Sequence, residues 1–285
     1  MLALLKETYR EWSEDRCLRL GAALAYYTVF SLAPLLVIVI ALVGFFYGER
    51  AAEGQILAQL EGLVGAEGAA GIQEMVRNAN QPAQGLVATV AGLAMMVIGA
   101  SSVFGELQDA MNQVWDAKPD PTQGWVAYLK ARLATFSMIL VVGFLLLVSL
   151  VLSAAVAALD AWLADLFPGA DVLARVVNLV LSFAVVTLLF ALIFKYLPDT
   201  SVAWRDVWAG AAGTALLFAV GKEGIGLYLG QTSATSVYGA AGSLVVVLLW
   251  VYYSSQILFL GAEFTQVWAR RRGSRKALES APAAS

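Results

Sequence analysis

The sequence predicts an all-α, polytopic integral membrane protein with six transmembrane helices, cytoplasmic N- and C-termini and amphipathic interfacial helices. Three observations predict it. Of 285 residues, 60% are hydrophobic and 14% charged, where soluble domains run at roughly 45–50% and about 25%. Charge-free runs at 20–48, 78–105, 133–159 and 176–194 each reach the roughly 17–25 residues a spanning helix needs. Finally, Lys and Arg fall almost wholly on one side of the resulting topology.

The spans are placed at about 22–47, 85–104, 135–159, 175–196, 207–229 and 239–265, within one membrane domain over residues 1–268. The first apolar run follows a charged leader and is too long for the core of a cleaved signal peptide. With the N-terminus inside, cytoplasmic segments hold Lys6, Arg10, Arg16, Arg19, Lys118, Lys130, Arg132, Lys195, Arg205, Arg270, Arg271, Arg272, Arg275 and Lys276. Outer segments hold only Arg50, Arg77 and Arg175, a strong positive-inside bias. The fifth span decides the count. Lys222 and Glu223 stand side by side in it, and reading residues 221–226 as a surface loop would leave five spans and put Arg270–Arg272 outside. The charge bias therefore places Lys222 and Glu223 at membrane depth, in a span or a re-entrant segment. Trp204, Trp208 and Trp268 mark span ends, where amphipathic rings favour the interface.

Outside the spans, residues 1–19 place Leu2, Leu5, Tyr9 and Trp12 at near-helical spacing, as in a helix on the inner membrane surface. Residues 54–79 predict two short amphipathic helices over the outer end of the bundle, broken by Gly65, Gly68 and Gly71. After span two, Phe104, Leu107, Met111, Val114 and Trp115 share one side of a further amphipathic helix that Asp120-Pro121 ends. Residues 269–285 read as a basic, then disordered, cytoplasmic tail. The single cysteine, Cys17, excludes an intrachain disulfide.

Polar groups at depth are the candidate functional residues, because a mid-membrane charge costs roughly 2.5–3.5 kcal/mol by insertion scales. Neighbours i and i+1 do not face each other on a helix, so Lys222 and Glu223 each need a partner, a water-filled cavity or a helix break. Gly221, Gly224 and Gly226 suit a break, since irregular backbone at depth is tolerated where it lines a cavity. Alternatively Lys222 snorkels outward. Gly210, Gly213, Gly221 and Gly224 also share a face on which another helix could pack closely. In span six, Tyr252, Gln256 and Glu263 form a polar stripe, with Glu263 near the inner surface and able to pair with a nearby arginine. In span one, Tyr27, Ser31 and Pro34 lie together. Pro34 frees the Phe30 carbonyl and should kink the helix, and the hydroxyls either satisfy backbone or line a cavity.

Four stretches, RLGAALAYYTVFSLAPLL, FGELQDAMNQVWD, KYLPDTSVAWRDVWAGA and YGAAGSLVVVLLWVYYSSQILFLGAEF, resemble the YihY/BrkB family of bacterial inner-membrane proteins in order and combination, over about residues 15–268. The resemblance implies a six-helix integral membrane protein. The family carries the older name ribonuclease BN, references to virulence and serum resistance, and a proposed role in moving lipids across the inner membrane.

The residues argue against a ribonuclease and against a nucleotide-driven pump. The chain has no histidine, so a His base or His metal ligand is excluded. Glu106, Asp109 and Asp116 suit the solvated face of a helix as well as they suit a carboxylate metal site. No Lys/Arg surface interleaved with aromatics suits nucleic acid, and no P-loop is present. The expectation is a non-enzyme without cofactor or metal, in the lipid bilayer of the bacterial inner membrane. Two roles remain: a passive or ion-coupled translocator of a lipid or lipid-like amphiphile, or a non-transporting scaffold that docks a second copy or other membrane proteins.

Overall fold

The computed structural model describes residues 1–79, 86–117, 170–231 and 242–273. Span three, most of the turn at 230–239 and the tail from 274 onward lie outside the described residues. Those described form helices α1 (Leu2–Glu14), α2 (Cys17–Tyr47), α3 (Glu49–Ala79), α4 (Leu86–Val114), α5 (Ala170–Tyr196), α6 (Trp204–Gln231) and α7 (Gly242–Arg271), with no strand among them. Three are long and apolar enough to cross a membrane: Cys17–Phe45, Val176–Tyr196 and Gly242–Arg271.

The hub of the fold is α7, which packs against α1, α2, α3, α4 and α6, while α5 packs on α6. Two apolar clusters occupy its two ends. At one end Cys17, Leu20 and Leu24 of α2 meet Phe104, Met111 and Val114 of α4, Phe190 and Phe194 of α5, and Phe259 of α7. At the other, Leu36, Val39 and Val43 of α2 meet Ile56, Val64, Ile72 and Val76 of α3, and Val247 of α7. Phe30, Phe45, Leu179 and Val220 point outward and are exposed, as lipid-facing side chains would be.

Close approach of α6 and α7 rests on a reciprocal clasp. Thr214 lies over Gly261 and Thr265 over Gly210, so a Cβ on Gly261 would stand 1.9 Å from Thr214 Oγ1. Each threonine hydroxyl donates to the carbonyl of its own helix's glycine four residues earlier, at 2.7 Å in both cases. Small residues and internally satisfied hydroxyls let helix backbones approach in a medium that offers no hydrophobic drive. Gly221 packs similarly, against the Tyr253 hydroxyl, whereas Gly213 and Gly224 face open space.

Two sequence expectations are corrected. First, α6 runs as one helix through Gly221, Gly224 and Gly226, so the chain does not break beside Lys222: none of these glycines has a positive φ. Second, the segment after span two is no separate helix but the last turns of α4, which stops at Val114, ahead of Asp120-Pro121. Asp116 there adopts φ 50°. The Ala117 N–H bonds the Asn112 carbonyl and the Asp116 N–H bonds the Gln113 carbonyl, a Schellman stop that satisfies the last carbonyls before the proline is reached. Pro34 lies inside the continuous helix α2. The pair predicted at 54–79 is present: within α3 two helices meet at a kink at Gly65, with φ 77° and ψ 169°, backbone that only glycine adopts cheaply.

Candidate functional site

The α1–α2 turn, the end of α4 and the last third of α7 converge on a buried polar cluster. Local backbone builds it. Arg16, with φ 54° and ψ 43°, is the single left-handed residue joining α1 to α2, and Asp116 is the left-handed stop of α4. Such φ values are uncommon in residues other than glycine and persist where surrounding structure enforces them. Arg16 holds Asp15 and Cys17 against α7, and Asp116 turns its carboxylate toward Gln266.

At the centre is Glu263, with no exposed surface. The Cys17 thiol donates to its Oε1 at 3.7 Å. Gln113 Nε2 donates to the Asp15 carbonyl at 2.7 Å, Gln266 Nε2 to Asp116 Oδ2 at 3.0 Å, and Gln256 Nε2 to the Cys17 carbonyl at 3.4 Å. Burial pushes the Asp15 carboxyl above its ordinary range, and Asp116 and Glu11 push the same way, while Glu263 and Gln113 oppose them. Buried carboxyls that keep company with other carboxyls resist ionisation for both reasons.

The arginines expected beside Glu263 are committed elsewhere. Arg270 meets Glu11 at 3.0 Å and Arg271 pairs with Glu7, so both clamp α1 to the end of α7. Burial tends to raise the Glu11 carboxyl, yet Arg10 and Arg270 outweigh it and leave it below the usual carboxylate range.

A second polar layer borders this cluster. Asp199, in the loop before α6, accepts from Gln108 at 3.1 Å and Asn112 at 2.8 Å, and its N–H donates to Asn112 Oδ1 at 2.7 Å. Burial and Asp109 raise Glu106, and burial and Asp199 raise Asp109. Asp109 thus sits between Glu106 and Asp199 while Asp116 faces Gln266, and the described residues contain no group of three or more acidic or cysteine side chains arranged for a metal.

Ser31 is fully buried and lies 2.7 Å from the Ser102 hydroxyl, joining α2 to α4. Nearby, Gly99 allows α4 to approach Pro34. The same seam holds a cavity of about 210 Å³, lined by Leu24, Thr28, Ser31, Leu32, Leu35, Val103, Phe104 and Leu107. Tyr27 accepts from Ser31 through its carbonyl, with its ring outside.

Of the candidate residues, Gln256 and Glu263 thus enter the buried cluster and Ser31 enters the α2–α4 cavity, while Tyr252 is half-buried on α7. Lys222 is half-buried on α6 and pairs with no described carboxylate; the side chain of Glu223 lies outside the described set. Sequence reasoning missed Asp15, Gln113, Gln266 and Ser102, and placed Asp116 with Glu106 and Asp109 rather than with Gln266. Their signal was weak: Asp15 and Asp116 each follow an amphipathic helix, where a solvated carboxylate is the ordinary reading.

A family model described as Virulence factor BrkB matches residues 8–285. UPF0761 membrane protein RSc1559 of Ralstonia nicotianae is 28% identical over 91% of this chain and 57% of its own length. A UPF0761 membrane protein of Tolumonas auensis is 29% identical over 90% of this chain and 82% of its own. UPF0761 membrane protein YihY of Salmonella arizonae is 30% identical over 73% of this chain and 67% of its own. The chain therefore spans little more than half the length of the Ralstonia relative. No solved structure matches.

Proposed function

The chain belongs to the virulence factor BrkB family, and from that premise we propose that it is a translocator of a lipid or lipid-like amphiphile in the bacterial inner membrane, serving envelope integrity. In this reading it crosses the bilayer six times with both termini inside, and α1 and α3 lie at the two interfaces. The observation that carries the reading is the α2–α4 cavity, whose mostly apolar wall includes the hydroxyls of Thr28 and Ser31. An acyl chain finds apolar contacts there, and the Thr28 and Ser31 hydroxyls, which donate to the Leu24 and Tyr27 carbonyls of their own helix, leave only acceptor oxygens for a polar group of the cargo. Few polar groups placed within an apolar lining are the usual composition of a small-molecule site.

A photoreactive acyl-chain probe tests this in reconstituted protein. The probe should label the α2 segment around Ser31, and Ser31→Phe, which fills the cavity, should abolish labelling there while preserving expression. Uniform labelling of outward residues such as Phe30 and Phe45, unchanged by Ser31→Phe, would contradict a lipid site in the seam. The non-transporting scaffold is the second reading, supported by the outward face of Val176, Val177, Leu179 and Val180 on α5. It predicts that substitutions on that face lose a co-purifying membrane partner while Ser31→Phe does not.

A further inference from the structure

We propose that the α2–α4 cavity selects its cargo by a hydrogen-bond donor: the polar group it holds is an uncharged hydroxyl, as on a long-chain alcohol or a glycerol-type lipid, and not a phosphate or an ammonium. The inference rests on the lipid site proposed above and names the substrate class which that site takes, with Thr28 and Ser31 as the residues that determine it.

The cavity is short of hydrogens to give. Among its lining side chains only Thr28 and Ser31 are polar, and none is charged. A hydroxyl owns one hydrogen and two lone pairs. The Thr28 hydroxyl gives its hydrogen to the Leu24 carbonyl at 2.7 Å, the back-bonding open to serine and threonine inside helices. Ser31 Oγ lies 2.8 Å from the Tyr27 carbonyl and 2.7 Å from Ser102 Oγ, which itself lies 2.7 Å from the Gly99 carbonyl. Whichever way the bond between the serines points, Ser31 spends its hydrogen inside the protein, on Tyr27 or on Ser102. Ser102 fills at most one Ser31 lone pair. Half-buried Thr28 thus presents the outer acceptor of the cavity and fully buried Ser31 the inner one.

Lone pairs without hydrogens discriminate between polar groups. A phosphate or an ester carbonyl sets lone pairs against lone pairs. An ionised group of either sign would leave water for a wall of leucine, valine and phenylalanine that offers no opposite charge, which is costly. A primary ammonium brings hydrogens but also that unpaired charge, and a quaternary ammonium brings the charge alone. A hydroxyl supplies the missing hydrogen and stays neutral. Size sets a second limit. The cavity measures about 210 Å³, below the roughly 300–1,000 Å³ of sites that enclose a drug-sized ligand, so it holds the hydroxyl end of an amphiphile and leaves the rest of the chain outside.

Competition against the photoreactive acyl-chain probe in reconstituted full-length chain tests this, with three competitors of equal chain length: dodecanol, dodecyl methyl ether and dodecyl phosphate. Dodecanol should displace the probe from the α2 segment around Ser31 about two- to tenfold more effectively than the ether, the worth of one net hydrogen bond, and dodecyl phosphate should not displace it. In the double variant Thr28→Val, Ser31→Ala, which keeps the apolar wall, alcohol and ether should displace the probe equally. The alcohol-to-ether ratio of wild type is read against that of the variant in the same vesicles, which cancels their different partition into the bilayer. Thr28→Val alone should lower the ratio as well and keeps the test decisive if the double variant fails to fold. A ratio unchanged in the variants would overturn donor selection, as would displacement by dodecyl phosphate at the concentration at which dodecanol acts. Labelling of wild type that none of the three competitors reduces would refute the lipid site itself, so the site and its donor preference can fail separately.

Discussion

Alanine at position 261 should loosen the α6–α7 pair even though it raises helix propensity. The new Cβ would stand 1.9 Å from Thr214 Oγ1 and 2.9 Å from Thr214 Cβ and Cγ2, where ordinary contact begins at 3.4 Å. Turning the Thr214 side chain gives up its 2.7 Å bond to the Gly210 carbonyl and still leaves the Cβ contact short, so the helices must separate. Overpacking of this kind costs about 1–3 kcal/mol, and replacing helical glycine with alanine returns up to about 1 kcal/mol. The net expectation is a loss of about 1–2 kcal/mol, roughly five- to thirty-fold in the folding equilibrium. Gly213→Ala on the same pair of helices meets nothing within 4 Å and should instead hold or gain stability, by up to about 1 kcal/mol. Reversible unfolding in mixed detergent micelles measures both, and Thr214→Ala in the Gly261→Ala background should recover part of the loss. Equal stability of Gly261→Ala and Gly213→Ala would refute the clasp.

Other perturbations have equally definite outcomes. Glu11 titrates below its unfolded value, so its contribution to docking α1 is present above the ordinary carboxylate range and lost as pH falls through the lowered value. Asp15 is raised, so its contribution is complete below the ordinary range and lost as pH rises through the raised value; proteolytic release of residues 1–16 should therefore increase at both acid and alkaline extremes. Asn112→Ala removes one bond to the Asp199 carboxylate and one from its N–H, and should cost about 1–3 kcal/mol in unfolding experiments, with greater exchange of the loop at 197–203. In a Cys17→Ser background, a cysteine at Ser201 should react with an impermeant reagent only from the cytoplasmic side, and one at Ala66 only from the outside. Reaction of both from the same side would overturn the six-span orientation.

Much of the helical arrangement was legible because it follows from apolar run length. The charge-free stretch at 20–48 became α2, and that at 176–194 became the core of α5. The glycine at 65 was legible as a break because neighbouring amphipathic stripes change phase there. What could not be read was which polar groups meet. Glu263 stood out as part of the polar stripe of span six, but Asp15 and Cys17 lie about 250 positions earlier and Asp116 about 150 earlier. Only the packing of α1, α2 and α4 around α7 brings them together. The break forecast at Gly221–Gly226 failed because glycine permits a break without requiring one, and α6 keeps its hydrogen bonds by remaining helical. Similarly, the arginine forecast for Glu263 overlooked Glu7 and Glu11, which compete for the same cations.

The most direct test of the account is lipid movement in liposomes containing the purified protein, with head-group-labelled lipid and a membrane-impermeant quencher. Wild type should expose inner-leaflet label to the quencher, and Ser31→Phe should protect it. Wild-type protein that leaves the inner-leaflet label fully protected, under an imposed proton gradient of either sign, would contradict translocation by this chain.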